Sequence, residues 1–123
     1  SHLVMLAIVV AMLSLAGACQ STKSNPVEVE GGDPDRGRVA IEAYGCGSCH
    51  SIPGIEQADG RVAPSLNVWP NRAFVAGVVP NTPDNVTAFI QNPQEVSPQT
   101  AMPNLGVSEQ DARDITAYLF TLR

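Results

Sequence analysis

The sequence turns on Cys46-Gly47-Ser48-Cys49-His50. Two thiols three positions apart, at the end of a helical segment, reach the two vinyl groups of one porphyrin. The adjoining histidine then falls beneath the ring and ligates its iron, so the pattern reads as covalent attachment of one haem c through Cys46 and Cys49. Two other uses of these residues fit less well. A tetrahedral zinc site needs four ligands, and beyond Cys46, Cys49 and His50 the only other Cys or His residues are Cys19 and His2. A thioredoxin-like disulfide needs a strand–helix–strand setting, and no such pattern is visible.

A haem that carries electrons needs a second axial ligand. His50 is the only histidine beyond residue 2, and Met5 and Met12 lie in an apolar N-terminal run, which leaves Met102 in Gln99-Thr100-Ala101-Met102-Pro103. A lone methionine is normally core filler, but this one sits in a polar loop stiffened by Pro103. A neutral thioether favours Fe(II) over Fe(III) relative to a second imidazole, so a comparatively high potential is expected.

Working outward from the motif, three helices are predicted. The first covers 34–44, with Asp33 as N-cap, Pro34 at the first position and Gly45 ending it; Val39, Ala40, Ala43 and Tyr44 recur at helical spacing. The second covers 82–91, begun by Thr82 and Pro83 and stopped by Asn92-Pro93. The third covers 108–122, where Ser108 with Asp111 approximates a capping box and Ile115, Tyr118, Leu119 and Leu122 line one face. The intervening stretches are rich in Pro and Gly, and no strand is predicted. Long loops in so short a domain need something to fill the space between them, and a large prosthetic group does so.

Toward the N-terminus, residues 3–18 are apolar or small, interrupted only by Ser14. The expected reading of residues 1–19 is an uncleaved transmembrane anchor helix. A cleaved secretory signal competes with it. So does a lipoprotein-type signal, since Leu15-Ala16-Gly17-Ala18-Cys19 approximates a lipobox and would make Cys19 the lipid-bearing residue. Residues 20–33 read as a flexible linker spanning roughly 20 Å by random-coil scaling, and residues 34–123 as the folded domain.

The chain has 123 residues, room for one domain, and 12 acidic against 7 basic residues, a formal charge of -5. Nucleic acid is excluded as a partner, because binding phosphate takes a basic footprint. A redox partner with a basic docking patch suits this surface, as does an acidic surface kept for solubility alone.

From Asp33 to Arg123 the chain resembles the class I cytochromes c. The haem motif follows an N-terminal helix, the methionine lies some fifty residues on, and a C-terminal helix follows. The resemblance implies an all-α cytochrome c fold, three main helices wrapped around one covalent haem, here preceded by the membrane anchor. It further implies a helix crossing of Gly37 against Tyr118. Pro64, in Ala63-Pro64-Ser65-Leu66, would accept the His50 ring proton on its carbonyl, although Ala63 stands where the family has glycine. Arg72 would bind a haem propionate, and Trp69 and Tyr44 would wall the ring, with Trp69 Nε1 donating to a propionate. The stretches 79–85 and 92–94 are similar to cytochrome domains of bacterial haem-copper oxidases and to monohaem subunits of quinol-oxidising complexes. By that resemblance the chain is a one-electron carrier of a respiratory chain and not an enzyme. It would sit on the extracytoplasmic face of a bacterial cytoplasmic membrane, between a quinol-oxidising complex or dehydrogenase and a terminal oxidase or soluble carrier. The alternative is a haem-based sensor or haem enzyme from which Met102 is displaced.

Overall fold

The computed structural model describes residues 26–123 together with His2. The expected anchor, with Cys19, and the first part of the expected linker lie outside the described residues, His2 apart. Among the described residues no helix is long and apolar enough to cross a membrane.

Four helices and one small hairpin make up the domain. Helix α1 (Pro34–Ala43) starts where the Asp33 carboxylate accepts from the Asp35 and Arg36 amides, at 2.9 and 3.0 Å. It ends as the chain turns left-handed at Gly45, with φ of 72°. Helix α2 (Pro83–Gln91) is capped by Thr82, whose hydroxyl accepts from Asn85 N. Asn92-Pro93 breaks it as expected, but a short helix α3 (Pro93–Val96) restarts at once, because proline at a first helical position costs nothing. Helix α4 (Glu109–Leu119) stops three residues earlier than its apolar period suggested. Its last turn tightens into Thr121 N to Tyr118 O and Leu122 N to Leu119 O bonds, which use up orphan carbonyls, and Leu122 stays buried.

Sequence periodicity missed the hairpin, in which β1 (Phe74–Val75) pairs antiparallel with β2 (Val79–Pro80). Two-residue strands are too short to show alternation. Ala76 and Gly77 both take positive φ in the connection, the sign pattern of a tight primed turn.

The core lies where α4 crosses α1 and α2. Gly37, Ala40 and Ile41 of α1 and Val86, Thr87 and Ile90 of α2 meet Ala112, Ile115, Thr116, Ala117 and Leu119 of α4. Each aliphatic side chain so buried contributes about 1.5–3 kcal/mol. Val39, expected on the inner face, is 55% exposed. The crossing corrects another expectation. A Cβ on Gly37 would lie 1.9 Å from Asp114 O and 3.0 Å from Ile115 N, so Gly37 abuts the α4 backbone. Tyr118 lies further along and donates its hydroxyl to Pro53 O at 2.6 Å.

Buried polar groups lock the crossing. The Asp114 carboxylate, in a residue only 1% exposed, accepts from Asp33 N, Arg36 Nε, Arg36 Nη2 and Gln110 Nε2 at 2.8–3.0 Å. Burial pushes this carboxyl up, but the donors from Arg36, Asp33 and Gln110 outweigh it and hold it below the usual carboxylate range. Residues 26–32, expected as linker, are packed down. Val29 is buried, Gln110 Nε2 donates to Gly31 O at 2.8 Å, and a Cβ on Gly32 would strike Arg113 O. The second half of the expected linker is therefore part of the domain.

Candidate functional site

Gly45 turns the chain out of α1 and delivers Cys46–Ser48 as a single 3-10 turn, closed by Cys49 N to Cys46 O and His50 N to Cys46 O bonds. This loop is pressed against the segment 58–60 so closely that neither side has room for a Cβ. One on Gly47 would lie 2.7 Å from Ala58 Cα, and one on Gly60 2.5 Å from the Cys49 carbonyl carbon. Gly60 N donates to Gly47 O, Ala63 N to Cys49 O and Leu66 N to Ser51 O, which stitches the motif to the irregular run 60–66. Cys46 and Cys49 are free thiols, both half-buried. Burial pushes the Cys46 thiol up, and the neighbouring Cys49 adds to the effect.

The run 60–66 also orients the histidine. Pro64 O lies 2.7 Å from His50 Nδ1. A carbonyl can only accept, so the proton belongs on Nδ1 and the Nε2 lone pair is left for a ligand. Met102 is half-buried, with its amide donating to Thr100 Oγ1 and its carbonyl accepting from Gln94 Nε2 at 2.7 Å. Short helix α3 thus supplies the group that ties down the methionine loop. No group of three or more His, Cys, Asp or Glu residues is placed to hold a metal ion among the described residues.

Trp69 and Arg72 begin and end a 3-10 turn, Trp69–Asn71 with Arg72 as C-cap. The turn is entered through Val68 at φ of 44°, a left-handed backbone that costs a β-branched residue about 1–2 kcal/mol. The Arg72 guanidinium stacks over the Trp69 ring, 5.3 Å from its centroid, and Arg72 Nη2 donates to Ser65 O. Trp69 Nε1 and Arg72 Nε are buried donors with no acceptor, and Asn81 Oδ1 is a buried acceptor with no donor. An unmet buried donor costs about 1–3 kcal/mol, so two such donors on one turn fit a carboxylate that the described residues do not themselves supply. A haem propionate is such a group, and the residues present fit haem c.

Tyr44, expected to wall the ring, turns its hydroxyl toward the start of α4. Its hydroxyl donates to Asp111 Oδ2 at 2.7 Å and receives the Ser108 amide at 3.5 Å. The capping box expected at the start of α4 is therefore completed through Tyr44, since Ser108 Oγ accepts from Asp111 N while Asp111 turns to the phenol. Sequence reasoning missed Gln94 and Asn81. For Asn81 the available signal was a polar side chain in the charge-free run 73–83; for Gln94 there was none, because its partner is a backbone carbonyl.

Comparison with known proteins agrees with this geometry. The sequence pattern of the family described as cytochrome c matches residues 34–123. The chain is 31% identical over 90 residues to cytochrome c oxidase subunit 2 of Alkalihalophilus pseudofirmus, covering 72% of this chain and 25% of that protein. It is 32% identical over 83 residues to cytochrome c oxidase subunit 2 of Bacillus subtilis, covering 63% of this chain and 23% of that protein. The chain thus spans about a quarter of the length of these relatives. Its fold is similar to that of cytochrome c2 from Rhodobacter sphaeroides, with a TM-score of 0.53 at 19% identity, covering 74% of this chain and 96% of that one. Cytochromes c carry electrons on covalently bound haem c; with its motif, its orienting carbonyl and the matched span from Pro34 to Arg123, this chain belongs to the cytochrome c family.

Proposed function

We propose that the chain is a monohaem one-electron carrier of a respiratory chain. In this reading it is tethered on the extracytoplasmic face of a bacterial cytoplasmic membrane by the apolar residues 3–18. It works as a subunit of, or docking relay to, a haem-copper oxidase or a quinol-oxidising complex. One observation carries the haem reading: the His50 Nδ1 to Pro64 O hydrogen bond of 2.7 Å beside two free thiols. It frees Nε2 for iron and fixes the ring plane, which is what a carbonyl behind a ligating histidine does.

Haem c supplies one iron that alternates between Fe(III) and Fe(II). Cys46 and Cys49 would hold the haem covalently, His50 and Met102 would ligate its iron, and Trp69 Nε1 and Arg72 Nε would donate to one of its carboxylates. With two side chains of the chain itself committed to the iron, the group would supply electron relay, and oxygen chemistry would fall to a partner. The oxidase partnership is supported by the relatives, which are cytochrome c oxidase subunit 2 proteins. A basic docking face on that partner is supported by charge. All 12 acids lie within residues 26–123, where arginine is the only base, and Arg36, Arg38 and Arg113 are already paired with carboxylates.

The test is to express the full chain with a haem-attachment system, extract with acid acetone, and record the spectrum of the residue. Covalently retained porphyrin with a reversible one-electron couple is expected; loss of all porphyrin to the solvent overturns the reading. Purification from membranes in mild detergent, followed by identification of the co-purifying haem-copper or quinol-oxidising subunits, tests the partnership.

A further inference from the structure

The turn bearing Trp69 and Arg72 is entered through the left-handed Val68 and is closed by two bonds of its own, Asn71 N to Val68 O at 2.9 Å and Arg72 N to Trp69 O at 3.0 Å. A further clamp on it comes from the far side of the hairpin. Asn81 Nδ2 donates to Trp69 O at 3.1 Å and to Arg72 O at 3.0 Å, and Asn81 N donates to Ala73 O at 3.0 Å. One residue thereby bonds to both ends of the turn and to the residue after it. Asn81 is itself fixed from both sides, between β2 and the N-cap Thr82 of α2, with Asn85 Nδ2 donating to Pro80 O at 2.9 Å.

We propose that Asn81 is a positioning residue for the haem carboxylate: by binding both ends of the 69–72 turn it aims Trp69 Nε1 and Arg72 Nε at that carboxylate. The inference rests on the haem reading above. The coincidence that supports it is specific. The orphaned buried side-chain atoms among the described residues are Trp69 Nε1, Arg72 Nε and Asn81 Oδ1, one on each member of this hydrogen-bonded set. Buried polar atoms are rarely left unpaired, so the two unmet donors, Trp69 Nε1 and Arg72 Nε, mark a place built for an outside acceptor, while Asn81 Oδ1, itself an acceptor, takes no bond from a carboxylate. The residue type follows from the geometry. Two carbonyl oxygens call for two N–H donors on one short side chain, which asparagine has, aspartate lacks and leucine cannot mimic.

The effect on the iron runs through charge. Two donors on a carboxylate offset its negative charge near the haem; when they drift, the oxidised, more positive iron is favoured and the potential falls. In the haem-loaded full chain, Asn81→Leu is expected to move the Fe(III)/Fe(II) ratio at a fixed poise three- to tenfold toward Fe(III), tenfold being about 59 mV for a one-electron couple. Trp69 is the only tryptophan, so its indole N–H gives a single unambiguous signal, whose hydrogen-exchange rate should rise at least tenfold. The Asn81→Leu and Trp69→Phe shifts in potential should be less than additive, because they act on one contact. Asn85→Ala, which loosens the same segment without touching the turn, should leave both readouts near wild type.

Asn81→Ser, smaller and still polar, serves if the leucine variant folds poorly. The inference is overturned if either folded variant keeps wild-type potential and indole exchange, or if Asn85→Ala reproduces the full effect. It is also overturned if both Asn81 variants lose the fold, which would make the residue merely structural. Failure of the functional reading looks different: wild-type chain without covalent porphyrin, whatever Asn81 does.

Discussion

Replacing Gly37 with alanine separates packing from propensity, because the two predict opposite signs. On an isolated helix the change is favourable by about 1 kcal/mol. At this crossing the new Cβ would sit 1.9 Å from Asp114 O and 2.5 Å from Asp114 C, where ordinary contact begins near 3.4 Å, so α1 and α4 must part by about 1.5 Å. The obstacle is helix backbone and cannot rotate aside. Overpacking costs about 1–3 kcal/mol even where side chains yield, so the upper end applies, and parting the helices also loosens Ile41 against Ile115 and disturbs the Asp114 network. After the propensity gain, a net loss of about 2–3 kcal/mol is expected, which for a domain of this size lowers Tm by roughly 10–20 °C. The assay is guanidinium chloride unfolding of the haem-loaded protein followed by far-UV circular dichroism, reading a lower midpoint at unchanged slope. Gly106→Ala is the control. Nothing lies within 4 Å of its Cβ, and its φ of 68° alone is at stake, for about 1–2 kcal/mol. A Gly37→Ala protein as stable as wild type, or less affected than Gly106→Ala, would refute the close-approach reasoning.

Asp114→Asn should be less stable than wild type at neutral pH. The Asp114 carboxyl is depressed in the fold, so its contribution is present above the unfolded value of about 3.9 and fades as pH falls through the lower folded value. The gap between the two proteins should accordingly shrink below about pH 4 in acid-unfolding curves. Gln94→Ala frees the Met102 carbonyl. Added imidazole should then displace the methionine at lower concentration, seen as earlier loss of the weak long-wavelength sulfur-to-iron absorption that Met102→Ala abolishes outright. Tyr44→Phe removes the hydroxyl that joins Asp111 to Ser108 and should cost about 1–2 kcal/mol in chemical unfolding with no change in reduction potential.

Much of the fold was legible because its signals are local. Asp33, Thr82 and Ser108 are N-caps in fact, since a side-chain oxygen facing the next two or three amides needs no distant partner. The partner of the Tyr44 hydroxyl could not be read locally, because Asp111 lies 67 positions away. The hairpin and α3 escaped notice because elements of two and four residues carry no period to detect. Residues 26–32 read as linker from composition, yet the buried Val29 and the bond from Gln110 Nε2 to Gly31 O dock them on α4.

The sequence by itself determined the chemistry. Cysteine, cysteine and histidine at that spacing, with Met102 as the only methionine beyond residue 12, admit few uses, because covalent and ligand chemistry belongs to atoms and their separation along the chain. Tertiary structure alone decided how that chemistry is held. Pro64 reaches His50, Gly37 admits the Asp114 backbone, and Asn81 grips the turn of Trp69 and Arg72. These are contacts between segments 9 to 77 positions apart, whose geometry follows from how helices and loops close on one another and leaves no periodic trace in the chain.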